Sequence, residues 1–263
     1  MNRVVVITGA SSGIGNVTAK LFLEKGDIVY GLSRRVVGES FNEIQCDITN
    51  EEEVKSCISN IIEKEGKIDV LVNNAGMGIS GPVETTKIDD VKKLFNVNFF
   101  GALNVINATL PFMREKRQGR IINISSVASP ISIPFQAFYS ASKAAIDSLT
   151  FALRAEVSDF NIKVSSVLPG DTKTGFTASR EKQNIDNAGE YAEKMQRSVA
   201  QMEKDEQNGM NALSVAKLVY KVSVKKRPPV HTVVGVQYKI LVFLSRILPK
   251  SFVNRIIKGM YAK

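Results

Sequence analysis

Short apolar runs rich in β-branched residues alternate along this chain with longer segments of helical period. The short runs fall at Val4 to Thr8, Ile28 to Ser33, Ile44 to Cys46, Val70 to Asn73, Arg120 to Ser125, Val164 to Leu168 and His231 to Val234. Strand-like runs separated by helical ones are the pattern of a parallel sheet with crossover helices on both faces, so the chain is expected to form an α/β fold of about seven strands. Asn50, followed three residues later by Glu53, reads as a capping box opening a helix whose buried face is Val54, Ile58, Ile61 and Ile62. The stretch from Lys173 to Asn208 is polar and poor in strand formers, and it lies where this architecture puts loops beyond the carboxyl ends of the strands. It is expected to form a mobile substrate lid.

The 263 residues carry no low-complexity linker and no internal repeat, which points to one domain at 1–235 followed by a helical extension at 236–263. Cys46 and Cys57 form no C-x-x-C pair and read as reduced thiols, while His231, the single histidine, lacks metal-site company. No metal is expected. The apolar start at Val4 to Ile7 is too short for a secretory leader, so the expected location is cytoplasmic. Charge refines this picture. The net +9 is concentrated in residues 207–263, which hold 11 Lys or Arg and no Asp or Glu, leaving 24 basic against 26 acidic residues elsewhere. Within that tail, Ile240 to Leu244 and then Phe252, Val253, Ile256, Ile257 and Met260 alternate with Lys250, Asn254, Arg255 and Lys258, an amphipathic pattern too interrupted to span a membrane. It would cover the substrate pocket, pack in a dimer, or rest peripherally on an anionic membrane. The long apolar runs argue against nucleic-acid binding.

Thr8-Gly9-Ala10-Ser11-Ser12-Gly13-Ile14-Gly15 follows the first strand and opens a helix. Glycines let the backbone turn tightly against a pyrophosphate, and the helix N-terminus favours its charge, although such a turn can also serve helix packing alone. At the end of the second strand, where a free ribose 2′-hydroxyl would call for a carboxylate, the chain has Ser33-Arg34-Arg35. A guanidinium pairs with a 2′-phosphate, so the expected cofactor is NADP(H) with Arg34 its chief contact; the competing reading is a solvated loop.

Tyr139 and Lys143 stand four residues apart at a helix start, hence on one face, where an ammonium would draw a phenol toward ionisation. Ser126 ends the Arg120 to Ser125 strand, where an open α/β sheet binds ligands, with Ser125 as a one-residue rival. Asn73-Asn74-Ala75-Gly76 closes the fourth strand. Asn98 lies in the helical segment Asn96 to Gly101 among Val97, Phe99 and Phe100, where a buried amide needs a partner.

In order and spacing these motifs, with Pro169-Gly170, resemble the short-chain dehydrogenase/reductase family over residues 3 to about 235, closest to its retinol and hydroxysteroid dehydrogenase branch. The resemblance implies a Rossmann-type, doubly wound fold with Tyr139 as general acid or base. It implies that Lys143 holds the nicotinamide ribose and lowers the tyrosine pKa, that Ser126 orients the substrate oxygen, and that Asn98 holds a relay water. Along the cofactor it places Gly9, Ser11, Ser12, Gly13, Ile14, Gly15, Ser33, Arg34, Arg35, Asp47, Ile48, Asn74, Ala75 and Gly76, then Pro169, Gly170, Thr172 and Thr174. The reaction implied is hydride exchange between NADP(H) and a carbonyl or alcohol. Met77, Ile79, Val127, Ile131, Ile133, Phe135 and Phe176 are candidate walls for a lipophilic substrate of steroid, retinoid or acyl type. The helix from Lys143 to Phe160, with Ala145, Leu149, Leu153 and Val157 on one face, resembles the family's subunit interface and implies a homodimer or homotetramer. A non-catalytic NADP(H)-binding regulator on the same fold is the main alternative, and a sugar epimerase is disfavoured by the small size.

Overall fold

In the computed structural model, which describes residues 2–182 and 187–262, the first apolar run becomes β1 (Val4–Thr8), buried at every position. Val4 and Val6 face one layer of the core, and Val5 and Ile7 the other. A strand covered on both faces needs apolar residues at both parities. The chain continues through α1 (Gly13–Glu24), β2 (Ile28–Ser33), β3 (Asn42–Gln45), α2 (Glu51–Glu65), β4 (Val70–Asn73), β5 (Ile79–Ser80) and α3 (Ile88–Phe95). A π-helical turn (Asn96–Gly101) leads into α4 (Ala102–Glu115), then β6 (Gly119–Ile124), α5 (Ala137–Glu156), β7 (Ile162–Leu168) and β8 (Thr172–Lys173). The last third holds α6 (Phe176–Ser179), β9 (Glu181–Lys182), α7 (Ala192–Gln207), β10 (Met210–Asn211), α8 (Ala212–Val224), β11 (His231–Val233), α9 (Val236–Ile247) and α10 (Lys250–Tyr261).

Seven strands pair in parallel in the order β11-β7-β6-β4-β1-β2-β3, with β5 pairing β9 and β8 pairing β10 as two-residue ribbons. These seven are the expected ones. β3 begins earlier than its apolar residues suggest, because an edge strand with exposed Asn42 and Gln45 needs no continuous apolar run. On one face Ala19 and Phe22 of α1 meet Val215, Val219 and Val222 of α8. On the other, Val54, Ile58 and Ile61 of α2 pack with Val105 and Ile106 of α4 and Leu153 of α5. From β1 the order runs outward through β2 and β3, then returns to β4 on the other side. The carboxyl ends of β1 and β4 therefore flank the crevice where such sheets bind ligands.

Three expectations change. Asn50 caps α2 by accepting from the Glu52 and Glu53 amides, but Glu53 reaches the Asn50 side-chain amide and the Asp47 N–H rather than closing a reciprocal box. The Lys173 to Asn208 stretch is largely helical among its described residues. In α7, Met195, Ser198, Val199 and Met202 form a buried stripe at helical spacing, and the hydrophobic members pack with Ile133, Phe135 and Tyr261; the polar majority around the stripe hides it in the sequence. Residues 183–186 of that stretch lie outside the described residues. Finally, Leu153 and Val157 are buried and Leu149 packs beside them in the core, so the α5 face expected at a subunit interface is turned inward.

Candidate active site

The glycine turn is shaped by contacts that a side chain would block. Gly9 and Gly13 have φ of +68° and +56°, and a Cβ on Gly9 would stand 2.9 Å from the Ala75 Cα. The Asn74 amide donates to the Thr8 and Gly9 carbonyls at 3.0 and 3.3 Å, while the Thr8 hydroxyl accepts from the Asn74 and Ala75 N–H groups. The Asn-Asn-Ala-Gly segment thus clamps the turn to the end of β4. Among the described residues no side chain caps α1, so its first N–H groups face the cleft ready to receive an anion, and a pyrophosphate fits this cradle.

One cleft of about 860 Å³ runs from this turn to α5. It is lined by every residue expected along the cofactor except Gly15, and also by Ser126, Tyr139 and Lys143. Gly15 lies beneath the turn, where a Cβ would meet the Gly9 carbonyl oxygen at 2.3 Å; its role is close packing of helix on strand. At the β2 end, Arg34 and Arg35 are exposed, with the Ser33 hydroxyl donating to the Arg35 carbonyl. The following loop wraps the Glu43 carboxylate, whose acceptance of the Val37, Gly38 and Glu39 N–H groups holds it below the ordinary carboxylate range. Asp47 accepts from the Thr49 N–H and hydroxyl, a local turn that fixes this wall of the cleft.

At the other end, the start of α5 brings Tyr139 and Lys143 together, with the Lys143 Nζ 5.8 Å from the Tyr139 ring centre. Lys143 is buried and donates to the Ile124 carbonyl at 2.9 Å; desolvation lowers its pKa to about 8. The tyrosine departs from expectation. Burial pushes the phenol up to about 12, and a hydrogen bond from Ser126 only partly opposes it, so the desolvation outweighs any help from Lys143. The serines separate cleanly: Ser125 is buried and donates to the Lys143 carbonyl, leaving Ser126 beside the phenol, with its hydroxyl accepting from the Ala128 N–H.

Asn98 sits in the π-helical turn, an irregularity common at functional sites. Its oxygen accepts from the Met77 N–H at 2.8 Å, and its two N–H bonds go to the Met77 carbonyl and the Ser142 hydroxyl. Both donors are occupied, so the amide ties the segment after β4 to α5, and the second lone pair of its oxygen is what is left for a water.

Sequence reasoning missed three groups. Asn73, Asn123, Thr150 and Ser166 form a buried hydrogen-bonded row beneath the site, hidden because only the sheet register, which pairs Asn73 with Asn123 and Asn123 with Ser166, brings these polar residues into line. Arg180, buried under the cleft, pairs with Glu206, whose other oxygen accepts from Thr177, and stacks on Phe176. Asp171 lines the cleft and accepts from the Tyr238 phenol of α9 at 2.7 Å. A carboxylate directly after Pro169-Gly170 was the available signal. Of the expected substrate walls, Met77, Val127, Ile133 and Phe176 line the cleft, whereas Ile79 and Ile131 are buried and Phe135 packs with α7.

A cleft of this kind, open at the switch point of a doubly wound sheet with Ser126, Tyr139 and Lys143 at one end, is that of a nucleotide-binding oxidoreductase. The particular family follows from the chain's relatives: the short chain dehydrogenase model matches residues 3–185, and the chain belongs to that family. It is 41% identical to a 3-ketodihydrosphingosine reductase of Bacteroides thetaiotaomicron over 99% of this chain and 98% of that one. It is 36% identical to retinol dehydrogenase 8 of Homo sapiens over 66% of this chain and 60% of that one. Among solved structures, a short-chain dehydrogenase from Streptomyces avermitilis superposes with a TM-score of 0.84 at 28% identity, covering 98% and 96% of the two chains.

Proposed function

We propose that the chain is an NADPH-dependent reductase acting on the ketone of a long-chain amino ketone of the 3-ketodihydrosphingosine type. The carrying observation is a single cleft that joins Ser126, Tyr139 and Lys143 to a wall with both apolar and anionic parts, Met77, Val127, Ile133 and Phe176 beside the carboxylates of Asp171 and Glu206. Such a substrate has an ammonium next to its ketone and an alkyl chain beyond. End-to-end similarity to the Bacteroides reductase supports the same reading. Glu206 already has Arg180, whereas Asp171 accepts from the Tyr238 phenol and has no cation paired to it among the described residues, and burial holds its carboxyl above the ordinary range. Asp171 is thus the group with most to gain from a substrate ammonium. Asp171→Asn is expected to cut kcat/KM for the amino ketone about tenfold or more, the scale of a hydrogen bond between charged groups. The same variant should leave an uncharged long-chain ketone nearly unaffected; equal losses on both would remove the amine assignment.

The cofactor, when bound, supplies the hydride. Ser126 holds the ketone oxygen beside Tyr139, which gives it the phenolic proton. A phenol with its pKa near 12 is fully protonated at neutral pH, the state that reduction consumes. Lys143 carries its charge below about pH 8 and loses it above. The kcat/KM for reduction should therefore be level at neutral pH and fall as pH rises through about 8, and a profile flat to pH 10 would detach Lys143 from the rate.

NADPH preference rests on Arg34, which lines the cleft just past the end of β2 with a guanidinium suited to pairing with a 2′-phosphate. Arg34→Asp is expected to lower the NADPH to NADH preference by roughly tenfold to a hundredfold, matching about 1.5–3 kcal/mol for a hydrogen bond to a charged group. An unchanged preference would overturn the cofactor assignment. A non-catalytic regulator would have no use for this convergence of proton-transfer groups. A homodimer or homotetramer would use exposed residues such as Phe100 and Phe151 rather than the inward face of α5.

A further inference from the structure

We infer that α9 and α10 form a docking surface that seats the protein on an anionic lipid bilayer. Both helices turn residues inward onto one cluster, where Val242 and Ile257 are buried around Ile131 with Val127 and Val253 alongside. Other apolar side chains on them face water. On α9, Val236, Ile240, Phe243, Leu244 and Ile247 are exposed, Val236 by 72%, Phe243 by 61% and Ile247 by 62%. At 3.6 residues per turn these five fall within an arc of about 100°. Phe252, Ile256 and Met260, spaced by four, repeat the exposed stripe on α10. Single exposed apolar residues are ordinary; two such stripes on successive helices mark an interaction surface.

Charge decides the occupant. Lys239, Arg246, Lys250, Arg255 and Lys258 are exposed on the same two helices, and no Asp or Glu occurs from Gln207 to Lys263. A two-fold contact between copies would set this basic face against itself with no carboxylate of its own to pair it. An anionic headgroup layer neutralises the cations while its acyl boundary takes the apolar stripes. Among the described residues no helix is long and apolar enough to cross a membrane, so these helices would lie in the interface.

The same helices reach the substrate. Tyr238 of α9 bonds to Asp171 and packs on Gly170, where a Cβ would meet its ring at 2.3 Å, and Val127 belongs both to the cleft and to the inner cluster. A bilayer-dissolved substrate would thus meet the cleft one helix layer from the lipid. That last link rests on the lipid-substrate reading above; the docking surface does not.

The test is flotation of the full chain with phosphatidylcholine vesicles containing 30% phosphatidylglycerol, against pure phosphatidylcholine. The wild type should float with the anionic vesicles and be released by 0.5 M salt, which screens surface charge. The double variant Phe243→Glu with Ile247→Glu should stay at the bottom while keeping the wild-type melting temperature and its NADPH-dependent turnover of a short, water-soluble ketone. No flotation of the wild type, flotation of the variant, or salt-independent binding to neutral vesicles would each overturn the proposal. So would a wild-type dimer that the variant dissolves, since a second copy would then cover the face. If the wild type floats but reduces no long-chain amino ketone, the docking surface stands and the substrate reading falls.

Discussion

Tyr139→Phe is expected to lower kcat for ketone reduction by about a thousandfold, within the range that a positioned general acid contributes, while NADPH affinity stays within about twofold. The separation follows from what the change removes. The phenol is the proposed proton donor beside Ser126, yet its ring packs against Phe176 with centres 5.8 Å apart, a contact that phenylalanine keeps. Lys143 also keeps its bond to the Ile124 carbonyl and its place in the cleft. Because the hydroxyl is partly desolvated in the native state, its loss should leave the melting temperature unchanged or slightly higher. Stopped-flow NADPH oxidation and cofactor-binding fluorescence on both proteins read the two quantities separately. A variant retaining more than about a tenth of wild-type kcat would mean that another group delivers the proton, and the assignment of Tyr139 would fail.

What the sequence made legible here depended on whether burial and chemistry shared a pattern. Strands such as Val70–Asn73 announce themselves because both faces are covered, and the two ends of the cleft are marked by glycines and by the four-residue spacing of Tyr139 and Lys143. The choice between Ser125 and Ser126 is invisible in sequence, since it turns on which hydroxyl the Lys143 carbonyl captures. The direction of the Tyr139 shift runs opposite to what the spacing suggests. Adjacency in sequence shows the cation but not the depth of burial, and burial is the larger effect. Helix α7 is hidden because its apolar stripe is narrow and its surroundings are charged, so the stretch resembles a solvated loop until Ile133 and Tyr261 are placed against it. Asp171 and Arg180 escape for the same reason: each meets its partner, Tyr238 or Glu206, only through the tertiary fold.

Gly15→Ala should do the greatest damage to the cofactor cradle without touching a chemical group. The added Cβ would lie 2.3 Å from the Gly9 carbonyl oxygen, 2.9 Å from the Gly9 carbonyl carbon and 2.4 Å from the Asn74 amide nitrogen. Two of those atoms are backbone and cannot rotate aside. The third is the amide that fastens β4 to the Thr8 and Gly9 carbonyls, so relief means moving α1 off the turn or breaking that clamp. Overpacking of this sort costs about 1–3 kcal/mol, which at roughly 2–4 °C per kcal/mol for a chain of this size is a fall in melting temperature of about 2–12 °C. NADPH affinity should drop by about a hundredfold, because the free N–H groups at the start of α1 move with the helix. Gly175→Ala is the matched control: its φ is −68°, no atom lies within 4 Å of where the new Cβ would stand, and its melting temperature should be unchanged or slightly raised. If Gly15→Ala melted and bound NADPH like the wild type, α1 would not be held against the turn by close packing, and the clamp by Asn74 alone would have to account for the cradle.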